Sequence, residues 1–529
     1  MATAKRALRH VFGGGLATEF GSHAEVTVEA DGRVVLPFLQ RAENVRFLRN
    51  GGITKIGGTT KYNSSALESG AEITGFFDYP RIGTSGTTTF RKVCHVSTKV
   101  KADTNNGSFS DIITGLTDEA IPNYNIFEDQ LIIASTGDTP RTWDQTTAAT
   151  LGGSPPSFAF SVTHVNRVWA AGAVANPSRL YYSSLLEAAE WDGTGNSGSI
   201  DIDPSDGDVI TAIWPYMNEL IVFKGPHKGS IHRITGTTPS TFARQIFLHE
   251  GLGAVSQNLL FMYGSDLGFV WSDGTIRTLL ATERFGDFEL GALSVPINRL
   301  ILDGLNTAHL RKGWAATDPL RGEVLFTLPF DASTKPNLTL MMDFRFESPR
   351  FATWTAIDAY SVARMTNPSN NNRHEMYVGG DDGFIRRLNG SNYNIDGGAT
   401  AISAYVKSPF MHYGAPAYMK TLHTLGLGIS PKGSYTATLG WRRDSAAEQT
   451  TTIDQAGDDV LGPGTVDIFT LDSSTLAGDA YRTRWSEVMN GGQFRDILYE
   501  VRDTTVDQAL EVHSIVAVVE SSAVESFEN

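Results

Sequence analysis

The sequence predicts an all-β protein: a divergent β-propeller of six to seven blades, a C-terminal β-sandwich domain and an extended N-terminal segment. Three observations lead to this fold class. Most apolar segments are short runs bounded by Gly, Asp, Asn or Pro, which is typical of strands joined by turns. Glycine is abundant, with 53 residues in a chain of 529, and this suits many turns. A strand-turn-strand unit also recurs along most of the chain.

The recurring unit has a polar pair, an apolar strand, a Gly/Asp turn and a second strand with an arginine, as in EDQLIIASTGDTPRTWD (128–144). The steps between neighbouring units run from 37 residues (Leu131 to Val168) to 57 residues (Leu267 to Val324). A propeller blade needs about 40 to 50 residues, so we interpret the units as blades. The equivalent apolar positions are Val93, Leu131, Val168, Leu220, Leu267, Val324 and Met376.

The repeat fades after Gly390, and the later segments have a different pattern. SYTATLGW (434–441) and HSIVAVV (513–519) are interpreted from their alternation as half-buried strands of a β-sandwich. The predicted divisions are an N-terminal extended segment and connector (1–70), a β-propeller (71–394) and a C-terminal β-sandwich-like domain (395–529).

Three segments depart from the strand pattern. SSLLEAAEW (183–191) has apolar residues spaced for one face of a two-turn helix. Residues 444–480 are polar, and we expect them to form a long excursion from the sandwich. ESSAVESFEN (520–529) is expected to be a solvated tail, or a segment that only a partner orders.

The charge balance is acidic, with 58 Asp and Glu against 43 Lys and Arg and a net charge of −15. Lys and Arg that neutralise phosphates supply most of the affinity of DNA-binding proteins. The balance therefore disfavours sequence-specific DNA binding. It suits a surface that DNA passes without adhering.

The apolar runs and the cysteine content also exclude classes of protein. No run of 18 apolar residues is present, so no membrane-spanning segment is expected. The N-terminal stretch lacks the apolar core of a signal peptide, so secretion by that route is not expected. With Cys94 as its one cysteine, the chain can form neither an intramolecular disulfide nor a cysteine-based zinc site. We expect a buried thiol in a reducing compartment.

The candidate chemical motifs are weak. FGGGLATEFG and NGGITKIGGT do not match the phosphate-binding pattern G-x-x-x-x-G-K-[ST] and are interpreted as turns. His227 and His232 fall in one expected hairpin, on opposite faces, and DIDPSDGD (201–208) lacks the EF-hand spacing. No nucleophile motif is present. We therefore predict no enzymatic activity, no catalytic, cofactor-binding or metal-binding residues and no cofactor.

A carbohydrate-active propeller, sialidase-like or glycan-binding, is the alternative function. STGDTPRTW (135–143) is similar to the Ser-x-Asp-x-Gly-x-Thr-Trp turn of sialidase blades, but Asp138 comes one place late and Pro140 replaces the glycine. Tryptophans can stack on sugars, although core packing is favoured here; they are Trp143, Trp169, Trp214, Trp271 and Trp354. The arginines late in the units either line a channel or, as we favour, serve surface charge and inter-blade bonds; they are Arg141, Arg179, Arg233, Arg277 and Arg386.

The N-terminal layout resembles the tail tubular protein B or tail hub-nozzle family of short-tailed bacteriophages (podoviruses). VFGGGLATEF (11–20) is followed, after a spacer, by FLQRAENVRFLRNGGITKIGGTTKY (38–62). The family has a Phe-Gly-Gly element, then an Asn, a Gly-Gly pair and an Arg-x-Gly-Thr element. TKIGGT departs from it, because the family has a basic pair, Pro and Gly there. The matching structural connector residues are Phe12, Gly13, Gly14, Asn44, Gly51, Gly52, Lys55, Gly58 and Thr59.

The resemblance implies a structural virion protein of the phage tail, made in the host cytoplasm. It would form a homo-oligomeric ring, expected to be a hexamer, below the portal and adaptor. The ring would be the tube or nozzle through which double-stranded DNA is ejected without sequence-specific binding. The implied partners are adaptor and portal-proximal tail proteins and tail fibres or spikes.

The connector itself is expected to be structural. A short strand around Arg46 precedes a turn at Gly51 and Gly52, and residues 53–60 then lead into the first blade. Val45 and Phe47 alternate with Arg46 in this interpretation, and the arginines of the segment are expected to face a neighbouring subunit.

Overall fold

The computed structural model describes residues 5–26, 28–83, 86–104, 106–248, 251–279, 292–413, 416–430, 436–454, 482–487 and 492–521. The chain forms two compact units that each draw on separate segments. Unit 1 contains residues 1–60, 341–356 and 389–529, and unit 2 contains residues 61–340 and 357–388.

Strands dominate the described residues. The strands up to the first blade are β1 (Lys5–Phe12), β2 (His23–Ala24), β3 (Arg33–Leu36), β4 (Arg41–Glu43), β5 (Val45–Phe47), β6 (Ile53–Lys55) and β7 (Thr60–Lys61). The next twelve are β8 (Ile73–Ile82), β9 (Thr88–Val96), β10 (Lys99–Asp103), β11 (Phe109–Ile113), β12 (Asn123–Phe127), β13 (Gln130–Ala134), β14 (Arg141–Trp143), β15 (Ala148–Thr150), β16 (Phe160–His164), β17 (Arg167–Ala171), β18 (Arg179–Tyr182) and β19 (Gly198–Asp201).

The next fourteen strands run from residue 209 to residue 387 and include the rest of unit 2. They are β20 (Val209–Tyr216), β21 (Glu219–Gly225), β22 (Ser230–Thr235), β23 (Ala243–Leu248), β24 (Leu260–Tyr263), β25 (Asp266–Val270), β26 (Ile276–Thr278), β27 (Trp314–Asp318), β28 (Glu323–Leu328), β29 (Leu338–Asp343), β30 (Arg350–Thr353), β31 (Ser361–Asn367), β32 (Arg373–Gly379) and β33 (Ile385–Arg387). Of these, β30 and the end of β29 belong to unit 1.

The C-terminal strands are β34 (Ala404–Lys407), β35 (Phe410–Met411), β36 (Lys420–Ile429), β37 (Thr436–Arg443), β38 (Gln449–Asp454), β39 (Arg482–Glu487), β40 (Gln493–Phe494), β41 (Ile497–Asp503) and β42 (Glu511–Ser521). The helices that lie wholly within the described residues are short: α1 (Asn298–Gly304) and the 3₁₀ turns Leu67–Ser69, Thr194–Asn196, Gln257–Leu259, Val295–Ile297, Thr307–Lys312 and Pro368–Asn370. Within the described ranges, no helix has the length and apolar character needed to cross a membrane.

Six small sheets in unit 2 lie in a ring as the blades of a β-propeller, which confirms the predicted fold class. Five follow the chain as β8–β11, β12–β15, β16–β19, β20–β23 and β24–β26, and the sixth is β31–β32–β33 with β7 as its fourth strand. Their first strands are innermost, since β8 contacts β12 and β31, and β16 contacts β12 and β20. The hairpin β27–β28 also stands in the ring, because β27 contacts β24 and β31.

The repeat predicted from the sequence corresponds to the same strand in each of these sheets. All seven equivalent positions lie on the second strand of their unit, from Val93 on β9 to Met376 on β32, with Val324 on β28. Each is almost completely buried. The cores lie between neighbouring sheets; Trp169 and Leu180 of one blade, for example, pack with Ile213 and Leu220 of the next. A blade can bury its apolar face only against a neighbour, which explains why the pattern recurs.

Unit 1 is a pair of sheets. One has the order β3-β1-β42-β36-β39, with β6 paired to β42 and to β5. The other contains β2-β35-β41-β34-β4-β30, with β37 and β38 added at β41. The sheets face each other, as the rings of His10 on β1 and Tyr499 on β41 show, with centroids 5.1 Å apart. This is the sandwich-like arrangement expected for the C-terminal region.

The observed division differs from the predicted boundaries, since residues 61–70 belong to unit 2 and residues 341–356 and 389–394 belong to unit 1. Residues 1–60 belong to the same unit as residues 389–529, whereas the sequence interpretation made 1–70 a separate extended segment. The reason is strand pairing, since β1 runs antiparallel to β42 from Lys5↔Glu520 to His10↔Ile515. Pairing between strands so far apart in sequence leaves no local signal.

The helix predicted at 183–191 is wrong. The segment forms turns, with Leu186 at φ +57°, and Leu185 and Leu186 are about half exposed. Two turns of helix are marginal without tertiary packing. Most of the predicted excursion at 444–480 and of the tail at 520–529 lies outside the described residues.

Candidate functional site

The connector contains the hairpin that the glycine pair predicts. β5 and β6 pair antiparallel with Val45 opposite Lys55 and Phe47 opposite Ile53. At the turn, the Leu48 amide donates to the Gly52 carbonyl, and Gly51 has φ +82°. A residue with a side chain is strained at that φ, which explains the glycine.

The two halves of the resemblance meet in unit 1. The Phe12 amide donates to the Gly51 carbonyl at 2.8 Å, and the Phe12 side chain is completely buried. Arg350 Nη1 donates to the Phe12 carbonyl at 3.3 Å. The Phe-Gly-Gly element and the Gly-Gly turn are therefore one structural element, which their separation in the sequence did not reveal.

Several connector glycines are required by close backbone approach. A Cβ on Gly14 would lie 1.8 Å from the Pro37 carbonyl oxygen, and one on Gly58 would lie 2.1 Å from the Asn394 carbonyl oxygen. A Cβ on Gly52 would lie 2.8 Å from the Val512 carbonyl oxygen. A side chain at these positions would clash with the facing backbone.

The side chain of Asn44 makes three hydrogen bonds. Its Nδ2 donates to Thr355 Oγ1 at 3.0 Å and to the Ser403 carbonyl at 2.7 Å, and its Oδ1 accepts from the Ala356 amide at 3.0 Å. The residue is buried and has φ +53°, a conformation that asparagine tolerates better than most residues. Asn44 thus joins three segments of unit 1.

Lys55 and Thr59 make charged and polar bonds to the C-terminal part of unit 1. Lys55 Nζ lies 3.1 Å from Asp503 Oδ2 and donates to the Thr505 carbonyl at 3.1 Å. Thr59 Oγ1 donates to Asp396 Oδ1 at 2.8 Å. The connector residues are therefore used in bonds within the unit.

The position of Arg46 shows that two expectations for the connector are wrong: the alternation within β5 and the contact of Arg46 with a neighbouring subunit. Its side chain is buried, and its guanidinium lies over the Trp354 ring at 4.5 Å. All three residues of β5 are buried, so the expected alternation is absent and Arg46 does not face a neighbouring subunit. The cause is that β5 has protein on both faces. Arg49, in contrast, is exposed.

The acidic stretch 201–208 is bonded to the end of β21 and to the turn that follows it. Asp208 accepts the amides of His227, Lys228 and Gly229, and Asp206 Oδ2 lies 2.7 Å from Lys224 Nζ. Among the described residues, no group of three or more His, Cys, Asp or Glu is placed to hold a metal ion.

Two of the Ser–His–carboxylate groups among the described residues have a buried histidine, one in each unit. Ser230 Oγ lies 2.9 Å and Asp203 Oδ2 3.8 Å from the same Nε2 of His232. In a catalytic triad the hydroxyl and the carboxylate use different ring nitrogens. His232 is also completely buried, and burial lowers its pKa to about 4.

The second group repeats this geometry. Ser430 Oγ lies 2.7 Å and Glu511 Oε1 3.2 Å from Nε2 of His513. The other ring nitrogen, Nδ1, is bonded to Asn50 of the connector at 2.9 Å. These contacts fix β42 against the hairpin turn and do not form a proton relay.

The recurring tryptophans pack in or against the core, as the favoured interpretation predicts, whereas the recurring arginines bond within blades where bonds between blades are expected. All five arginines lie on third strands, away from the innermost strands, and bond within their own blade, as Arg179 does with Asp201 at 2.6 Å. Trp169 and Trp354 are completely buried or nearly so, and Trp143 and Trp271 are buried. Trp214 is partly buried against the core between two blades. Asp138, of the sialidase-like turn, accepts from Thr117 and Ser135.

Unit 2 also contains a two-armed cleft at the beginnings of its inner strands. The polar arm, of about 300 Å³, is lined by Asp118, Glu119, Asn123 and Lys312. The apolar arm, of about 570 Å³, is lined by residues of several blades: Phe160, Ala173, Val174, Pro177, Val209 and Ile210. Arg311 lines both arms. The sequence does not reveal this cleft, because its residues come from consecutive blades and share no motif.

Comparison with known proteins finds distant matches among solved structures. No protein-family model and no curated protein matches the chain. Among solved structures, the computationally designed Ika8 protein is 13% identical with a TM-score of 0.37, covering 70% of this chain and 100% of that one. The WD40 β-propeller domain of Doa1 is 11% identical with a TM-score of 0.37, covering 63% and 97%. YCF48 bound to D1 peptide is 11% identical with a TM-score of 0.38, also covering 63% and 97%.

Proposed function

We propose that this chain is a structural component of a phage tail, a subunit of the ring-shaped tube or nozzle below the portal and adaptor. The observation that carries the proposal is the structural role of the nine connector residues that match the phage family. All nine lie in unit 1, and those described above form hydrogen bonds or close backbone contacts within it. A motif devoted to backbone geometry suits a protein whose role is assembly.

The charge of the chain supports a role of the ring as a passage for DNA. A net charge of −15 repels the phosphate backbone, so DNA passing through a ring of these subunits would slide and not adhere. In this proposal the virion is the place of action, the ring is a hexamer, and the adaptor and tail fibres or spikes are the partners. No catalytic step is part of the proposed function.

Electron microscopy of the purified full chain, alone and with its adaptor, tests the proposal. Closed rings with a central opening are the expected result. Light scattering on the same samples gives the copy number. A chain that stays monomeric under both conditions would contradict the proposed ring.

A carbohydrate-active propeller is the second candidate, and the carboxylate pair Asp118–Glu119 in the polar arm is the observation that favours it. Glu119 Oε2 lies 3.5 Å from Lys312 Nζ and Oε1 lies 3.7 Å from Lys335 Nζ, so one of the two carboxylates is already paired. Glycan-array binding that is lost on Asp118→Asn would support this candidate. An array without binding, together with no glycan hydrolysis, would remove it.

A further inference from the structure

The cleft of unit 2 combines an apolar recess with an exposed cation. Val174 is 71% exposed and Val209 is 37% exposed in the apolar arm, so this arm offers uncovered apolar surface. Arg311 is exposed at the junction of the arms. Within the described ranges, Arg311 makes neither a hydrogen bond nor an ion pair, whereas the adjacent Lys312 is paired with Glu119. The cleft thus fits a ligand that presents apolar side chains and a carboxylate together.

The chain itself contains a segment of this chemistry. Residues 522–529, SAVESFEN, follow the end of β42 at Ser521. The segment has two carboxylates, Glu525 and Glu528, and no basic residue. Its apolar residues Val524 and Phe527 each lie next to a glutamate in the sequence.

We propose that the cleft binds segment 522–529 of a second copy of this chain. Phe527 enters the apolar arm, where an aromatic side chain contributes most of the binding free energy. A neighbouring glutamate carboxylate accepts two parallel N–H bonds from the Arg311 guanidinium. The choice of a second copy rests on the proposed ring, since a tail-to-cleft contact is heterologous and repeats around a closed ring.

Sedimentation equilibrium of full-length variants measures this contact. Arg311→Glu is expected to weaken self-association about fivefold, the effect of an exposed ion pair. Phe527→Ala is expected to weaken it about tenfold or more, as removal of a buried anchor does. Arg373→Glu is the matched control, because Arg373 is exposed on β32 and does not line the cleft; it should leave association unchanged.

Charge exchange and peptide competition make the test specific. Combining Arg311→Glu with Glu525→Arg and Glu528→Arg should restore association to within about twofold of the unmodified chain. An excess of synthetic SAVESFEN peptide should dissociate the unmodified full chain, and a scrambled peptide should not. Restoration by the exchange would exclude general misfolding as the cause of the Arg311→Glu effect.

Three outcomes would overturn the inference. Oligomers or rings that are insensitive to Arg311→Glu and Phe527→Ala would overturn the contact and leave the proposed ring intact. Peptide binding that Arg311→Glu does not weaken would place the peptide elsewhere. A monomeric chain that gains affinity for the peptide on Phe527→Ala would show that the segment occupies the cleft of its own chain.

Discussion

Lys55 Nζ lies 3.1 Å from Asp503 Oδ2, and neither side chain has solvent-exposed surface. The pair joins β6 of the connector to the end of β41. Burial lowers the pKa of Lys55, and the carboxylates of Asp503 and Asp507 oppose this change. When one member of such a pair is removed, the other charge stays buried without a partner.

Lys55→Met is therefore expected to lower the free energy of unfolding by about 3 to 5 kcal/mol. Asp503→Asn should also lower the free energy of unfolding. The loss in the double variant should be smaller than the sum of the losses in the two single variants. Urea unfolding followed by circular dichroism measures all three. Exposed Lys5→Met is the control. Strictly additive effects would contradict the direct pairing of these side chains.

Asn44 is expected to stabilise unit 1 through both its side chain and its backbone conformation. Asn44→Ala removes three hydrogen bonds and places alanine at φ +53°, and it should cost about 3 kcal/mol. Asn44→Gly removes the same bonds without the conformational strain, so it should cost about 1 kcal/mol less. Thermal unfolding of the two variants separates the contributions. Equal melting temperatures would show that the positive φ contributes nothing.

Gly52→Val and Gly58→Ala should impair folding or ring assembly and produce no catalytic defect. A Cβ at Gly58 would lie 2.1 Å from the Asn394 carbonyl oxygen, and overpacking of this kind costs about 1 to 3 kcal/mol. Gly21→Ala is the control, because a Cβ there meets nothing within 4 Å. Soluble yield, melting temperature and particle size report the outcome. Normal folding and assembly of Gly52→Val would refute the connector interpretation.

His10 should make unit 1 sensitive to acid. Its Nδ1 bonds to the Ile515 carbonyl at 3.1 Å and its Nε2 to Tyr413 Oη at 2.9 Å. Burial lowers its pKa to about 4, and the bond to Ile515 opposes this only in part. In the unfolded chain the pKa of histidine is about 6.5. As the pH falls from about 6.5 to about 4, the unfolded state therefore takes up the proton first, and the free energy of unfolding decreases.

Replacement of His10 tests this pH dependence. In unfolding experiments between about pH 4 and pH 7, His10→Gln should reduce the slope of the free energy of unfolding against pH. The reduction should be up to about 1.4 kcal/mol per pH unit, which corresponds to one proton. The unmodified chain, measured over the same pH range, is the reference. A residual slope is expected, because burial also lowers the pKa of His95 and His232 to about 4. An identical slope with and without His10 would contradict the prediction.

Much of unit 2 could be predicted because its signals are local. The apolar positions from Val93 to Met376 recur because each second strand is buried between neighbouring sheets. Gly51 could be assigned to a turn, since the need for a positive φ depends on a few adjacent residues. The prediction of a helix at 183–191 was wrong because a helix of only two turns is marginal without tertiary packing.

The sequence by itself determined the strand-rich class, the recurring blade and the turn of the connector, because alternation and glycine placement act over short distances. Only the tertiary structure decided that β1 pairs with β42, that Asn44 bonds to Thr355 and Ser403, and that Lys55 is neutralised by Asp503. It also brought Arg311 to the apolar arm of the cleft. These contacts join residues far apart in the chain, and their free energy depends on burial that no local pattern encodes.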